Sequence, residues 1–282
     1  MSDLLVCKNF RKSSNSVGVI YTSTSNSGII LCKDIGCNSK KESERPADEV
    51  IEQTYKVNAD ASLRITNPRG SVAIRGEDTP EVRMRAVKSA PGAAQLKDIT
   101  VDVTAEPVDI LIKTAFLRQK KMPLFAGASA VNYTLSVPRN IRIPRVDVDD
   151  GEVSIEGIQN ADVRANVVNG HLNIRNCCGN VKVAVANGGL DLTYGRCEGP
   201  YFSADAQILN GDARLSVARG AALRVHCETL TGKITNNLDP MVELNGQSSR
   251  KVDVSLGNGR RSDITVRVTS GDITIVAAEP GG

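Results

Sequence analysis

From about residue 144 onward, short runs of alternating apolar and polar residues break at a glycine and resume after it. Gly151, Gly170, Gly188, Gly211, Gly232 and Gly271 anchor these runs. The first five recur about every twenty residues; the last interval is about twice as long, room for two units with one degenerate copy. Before the glycines, one alternating set reads Pro144, Val146 and Val148; Val163, Ala165 and Val167; Val181, Val183 and Val185; Ala204, Ala206 and Ile208; Val225, Cys227 and Thr229; Ile264, Val266 and Val268. After them come Val153 and Ile155; Leu172 and Ile174; Leu190 and Leu192; Ala213 and Leu215; Ile273 and Ile275, with Ile234 and Asn236 the weak copy. A period of two gives each strand one dry face and one wet face.

Taken singly, an Asn-Gly step between two such runs signals a β-hairpin. A meander of hairpins, however, has no reason to keep fixed columns across a repeat, whereas a solenoid stacks like residues at about 4.8 Å. The expected fold is therefore all-β: a single-stranded parallel (right-handed) β-helix with repeats of about 20 residues over 144–278, the Asn-Gly steps forming its corners. An antiparallel sandwich is the alternative. Asp150, Asn169, Asn187, Asn210, Thr231 and Ser270 would form a polar ladder at one corner. Residues 55–143 carry the same grammar less regularly, with Leu63, Ile65, Val72 and Ile74 placed around Gly70, and are expected to form an irregular N-terminal β cap. Between Lys113 and Ala130 a long connection reads as an exposed loop. Residues 1–54 read as a poorly ordered leader and linker, because 39–49 are charged, contain Pro46 and lack periodicity.

Composition narrows the function. Aromatic residues make up 3% of the chain and Trp is absent, so the core must be aliphatic and bases would find few rings to stack on. The net charge of +3 supplies no sequence-wide field for nucleic acid. No apolar run reaches the length of a membrane-spanning helix. Lys8, Arg11 and Lys12 resemble the basic start of an export signal, but the Ser/Asn/Thr-rich stretch after them is too polar for its core. "GIILCKDIGC" makes Cys37 a possible lipidation site, although Asp34 stands where an aliphatic residue is wanted. A cell-envelope location is expected, or a cytoplasmic one if no export signal operates.

Neither a cofactor nor a catalytic constellation is expected. Asp147, Asp149, Asp150 and Glu152 could hold calcium or supply an acid/base pair, but stacking places Asn166 beside Asp147 and Val168 beside Asp149, so no adjacent coil supplies a second carboxylate. His171 and His226 stand apart from any ligand spacing and read as surface residues. Residues 257–263 are glycine-rich but lack the Lys-Ser/Thr ending of a phosphate loop. Arg145, Arg164 and Lys182 occupy one outward column, a basic stripe able to grip an anionic polysaccharide, a lipid head group or an acidic partner; Asp147 and Asp162 are close enough to neutralise it. Seven cysteines leave at least one unpaired within the chain. Cys227 faces inward, and aligning "NCCGN" on "RCEGP" places Cys177 over Cys197, a disulfide if the protein is exported.

The recurrent "VNG" units, "VNYTLSVPRNIRI" and the closing "ITVRVTSGDITI" resemble the DUF4097 family of bacterial β-strand-repeat proteins, a candidate-adhesin family, over roughly residues 55–276. The resemblance implies a parallel β-helix and a non-catalytic, envelope-associated protein. Its surface would bind an anionic polysaccharide or another envelope protein. An intracellular scaffold self-associating through its solenoid ends is the alternative, with a polysaccharide-cleaving β-helix enzyme behind it.

Overall fold

The computed structural model describes residues 8–11, 17–20, 46–117, 129–159, 162–195, 202–218, 221–238, 243–247, 249–257 and 262–278. In the first of two compact units, Met1–Glu44, β1 (Lys8–Arg11) pairs antiparallel with β2 (Val17–Ile20). The described residues of the second, Arg45–Gly282, are almost entirely strand. It begins with β3 (Ala47–Lys56), β4 (Ser62–Arg69), β5 (Val72–Glu77), β6 (Glu81–Ala90), a single helical turn α1 (Ala93–Leu96), β7 (Ile99–Glu106), β8 (Asp109–Phe116) and β9 (Ala130–Pro138). Then come the bent strands β10 (Arg142–Glu156), β11 (Val163–Arg175) and β12 (Asn180–Tyr194). Next are β13 (Ser203–Asn210), β14 (Ala213–Ala218), β15 (Leu223–Thr231), β16 (Ile234–Asn237), β17 (Glu243–Gln247), β18 (Lys251–Leu256), β19 (Ser262–Ser270) and β20 (Ile273–Ala278). Strand structure therefore starts earlier than residue 55, in what the composition suggested was linker.

The columns stack as expected, and they stack in parallel. Val148 sits beside Val167, Val167 beside Val185, and Val185 beside Ile208. Past the glycines, Val153, Leu172, Leu190 and Ala213 form a second file. The antiparallel alternative is excluded for these strands, and each coil contributes one stretch of strand to each of two faces. Aliphatic side chains fill the space between; among the buried rings, Tyr194 stacks on Phe202 with centroids 4.8 Å apart.

Coil order departs from chain order at both ends. The first face runs β8, β4, β10, β11, β12, β13, β19, β15. The second runs β9, β5, β10, β11, β12, β14, β20, β16. Thus the last coil, β19–β20, lies between two earlier ones. Its inward residues Ile264, Val266, Val268, Ile273 and Ile275 are all buried and suit a place covered on both sides. The Gly232 coil, weakened by half-buried Asn236, takes the end.

Two expectations are corrected here. The long interval before Gly271 holds no degenerate coil; β17 and β18 pair antiparallel, and β18 closes antiparallel on β15. Nor is the front merely an irregular cap, because β4–β5 and β8–β9 are coils, with β7, β6 and β3 added antiparallel outside them. Antiparallel strands close an end with a short turn, where a parallel one needs a long crossover.

A third correction concerns Pro144, which is exposed. Register slips between Ile143 and Val146, so Ile143 takes the core position and Pro144 and Arg145 form a bulge on the outer face.

At the corner the glycines touch. Gly188 has φ +141°, and a Cβ there would stand 1.7 Å from the Gly170 carbonyl oxygen; Gly170 and Gly211 meet their neighbours in the same way. By contrast, a Cβ on Gly189 would meet only the His171 ring, which can swing aside. Gly188→Ala should therefore destabilise the protein by about 3 kcal/mol or more, and Gly189→Ala by much less, as read from urea unfolding midpoints of the two variants.

Candidate functional site

On the outer side of the first face, equivalent positions form cross-strand columns. Arg64 pairs in register with Arg145, Arg164 with Lys182, and Lys182 with Asp205. Two residues nearer the corner, Asp147, Asn166, Ala184 and Gln207 form the parallel column. Together they border a depression of about 390 Å³ lined by Pro144, Arg145, Asp147, Arg164, Asn166, Lys182, Val183, Ala184, Asp205 and Gln207. The structure thus brings Arg145, Arg164 and Lys182 together.

Their charges are not equivalent. Arg145 is ion-paired with Asp147, whose other oxygen accepts a 2.8 Å hydrogen bond from Asn166 Nδ2. At the far side Arg267 Nη1 lies 3.0 Å from Asp205 Oδ1. Arg64 extends the column and is tied to Asp109. Burial pushes the Asp109 carboxyl up, but hydrogen bonds from Arg64 and Ser62 and the arginine's charge outweigh it and hold it below the usual carboxylate range. Asp162 does not neutralise the stripe; it accepts a 3.0 Å hydrogen bond from Asn180 Nδ2. Among the described residues, Arg164 and Lys182 have no ion-pair partner.

Sequence reasoning missed Arg64 as a neighbour of the stripe. Arg64 was detectable, because it precedes Gly70 by the same offset that separates Arg164 from Gly170. The Arg267–Asp205 ion pair was not, since Arg267 reaches Asp205 only through the inserted final coil, whereas Asp147 was expected to neutralise part of the stripe and does so at Arg145.

Elsewhere the polar ladder forms. Asn210 Nδ2 donates to Asn187 Oδ1 at 3.0 Å, Asn187 to Asn169 at 3.0 Å, and Asn169 to Asp150 Oδ1 at 2.9 Å, a one-way chain ending on a carboxylate. Ser270 and Thr231 follow in swapped order, as the coils do. Beside this corner Val168, Leu209 and Leu230 stand exposed. The histidines are not isolated: His171 Nε2 lies 2.9 Å from Asp191 Oδ2, and His226 Nδ1 lies 2.6 Å from Asp253 Oδ1. The hydrogen bond to His226 holds the Asp253 carboxyl below its usual range. Among the described residues no three His, Cys, Asp or Glu stand together to hold a metal, and no helix is long and apolar enough to cross a membrane. Most of 257–263 lies outside the described residues.

A family model described as Toastrack DUF4097 matches residues 46–276. Similar solved structures include a candidate cell adhesion protein from Clostridium sporogenes, 12% identical, covering 83% of this chain and 100% of that one with a TM-score of 0.47. A candidate adhesin from Bacteroides fragilis is 13% identical over 82% of this chain and 99% of its own, with a TM-score of 0.30. No curated protein matches the chain.

The cysteines correct a further expectation. Cys177 is a fully buried free thiol, its Sγ directed at the carbonyls of Ile155 and Arg175, and burial pushes it up to about 12. Its neighbour Cys178 is the disulfide-bonded residue. Strict alternation from Ile174 would put Cys178 inside, but Asn176 adopts φ 51° and turns the chain so that Cys177 points inward instead. Cys197 and Cys37 lie outside the described residues.

Two measurements check these assignments. Alkylation in non-reducing denaturant should label Cys177 and Cys227, and label Cys178 only after reduction, as read by peptide mass spectrometry. Because its folded pKa is depressed, the Asp253 charge adds stability above the unfolded value of about 3.9 and loses it as pH falls below that. Asp253→Asn should therefore be less stable than wild type at pH 6, with the gap closing below about pH 4, as followed by urea unfolding across that range.

Proposed function

The chain belongs to the Toastrack DUF4097 family, and we propose that the outer side of its first face is a non-catalytic surface that binds anionic polysaccharide, for adhesion at the cell envelope. One observation carries this reading. Among the described residues, Arg164 and Lys182 remain without ion pairs on adjacent strands while Arg64, Arg145 and Arg267 around them are neutralised. Like charges on adjacent strands repel each other, and an external anion held between the two would relieve that repulsion. Binding is favoured over catalysis because Asp147 and Asp205, the carboxylates lining the depression, are each tied to an arginine. The Cys178 disulfide favours an oxidising compartment over an intracellular scaffold. Right-handed winding is part of the same reading, the sense taken by about 98% of parallel crossovers.

Arg164→Glu should elute from immobilised carboxymethyl cellulose at clearly lower salt than wild type, without a change in Tm. Arg214→Glu makes the same charge change on the second face and should shift elution less. Equal shifts for the two variants would remove the depression from consideration.

A further inference from the structure

Ala184 makes the depression concave. In its column it stands between Asn166 and Gln207, and Lys182 lies on the same strand two residues away. A small side chain among four long polar ones, with Arg164 completing the ring, leaves a hollow over Ala184. The whole depression, from Pro144 to Gln207, measures about 390 Å³, room for one sugar residue with a substituent.

The charges bound the hollow in the same way. Along the solenoid axis the cationic window is two coils wide, Arg164 and Lys182, with Asp205 next on one side and the Arg145–Asp147 pair on the other. Asp147 and Asp205 are each taken up by an arginine, so an anionic group on a bound glycan finds its counter-charge at Arg164 and Lys182. Neighbouring strands stand about 4.8 Å apart, so a guanidinium and an ammonium on long stems can converge on one group. Two positive charges match a phosphate monoester, which carries about −1.5 to −2 and three acceptor oxygens. A carboxylate offers one charge and two oxygens. Arginine's planar fork adds bidentate contact to such a group.

We infer that the hollow over Ala184 is a subsite for a single phosphorylated sugar residue of a glycan, with the phosphate between Arg164 and Lys182 and the sugar hydroxyls toward Asn166 and Gln207. The inference rests on the polysaccharide-binding reading and names the unit bound. Among the described residues the Gln207 side chain makes no hydrogen bond and can serve a hydroxyl as donor or acceptor, while Asn166 keeps its amide oxygen free, its Nδ2 being directed at Asp147.

Titration calorimetry of the whole protein with glucose 6-phosphate, glucuronate and inorganic phosphate tests it. Glucose 6-phosphate should bind at least tenfold more tightly than either of the others. Lys182→Gln should weaken it at least tenfold. Ala184→Leu, which fills the hollow without changing charge, should abolish it. Equal affinity for glucose 6-phosphate and glucuronate would overturn the inference, as would equal affinity for inorganic phosphate or an Ala184→Leu protein that still binds. If glucose 6-phosphate does not bind but Arg164→Glu still lowers retention on the resin, the subsite falls and the polysaccharide-binding surface stands. If neither effect appears, both fall.

Discussion

The close approach of successive coils at the glycine corner is the constraint on which the rest depends. Gly70, Gly151, Gly170, Gly188, Gly211, Gly271 and Gly232 follow one another along the axis, each in a positive-φ conformation and each with its hydrogens against the neighbouring backbone. A side chain at any of them would separate two coils. With the corners held together, hydrogen bonding sets the strand spacing on both faces, and period-two alternation then sends the aliphatic columns of each face inward. The asparagine ladder beside the glycines follows the same stacking, its side-chain amides repeating the backbone pattern one layer outward.

Ends are the cost of such stacking, because a terminal coil presents unpaired backbone to solvent. Here each end is finished by antiparallel strands, and at each end the outermost coil is out of chain order. The C-terminal arrangement is consistent with burial. The coil with unbroken aliphatic columns sits inside, and the one carrying Asn236 sits at the rim. Placing the last coil inside also brings Arg267 beside Asp205, so end topology shapes the electrostatics of the central face.

Function on this scaffold is a matter of which outward residues the stacking leaves unsatisfied. A cation in a β column has neighbours about 4.8 Å away on either side, and whether it is available depends on their charge. Arg145 has Asp147 two residues along its own bulged strand, while Arg164 and Lys182 have Asn166 and Ala184 at the corresponding places. The proline bulge beside Arg145 exists only in its coil. Small local departures from the repeat therefore turn a uniform basic stripe into a two-residue window bounded by carboxylates.

The sequence by itself determined the repeat, the inward columns and the corner positions, because each is written in residues a fixed distance from a glycine; that the coils stack in parallel rather than as an antiparallel sandwich was left to the structure. The same offset pairs Arg164 with Lys182 and Arg145 with Arg64 in register, while the bulge at Pro144 and Arg145 interrupts the column between Arg145 and Arg164. Tertiary structure decided what no local offset encodes: the insertion of β19–β20 between earlier coils, the β17–β18 hairpin where a degenerate coil was expected, and the partners of the histidines. It also decided which of two adjacent cysteines faces the core, since one left-handed residue at Asn176 shifts the alternation by a position. Local periodicity records which way a side chain points along its own strand; ion pairing, coil order and the shape of a depression depend on which strand lies next to it, and that is settled only when the coils stack.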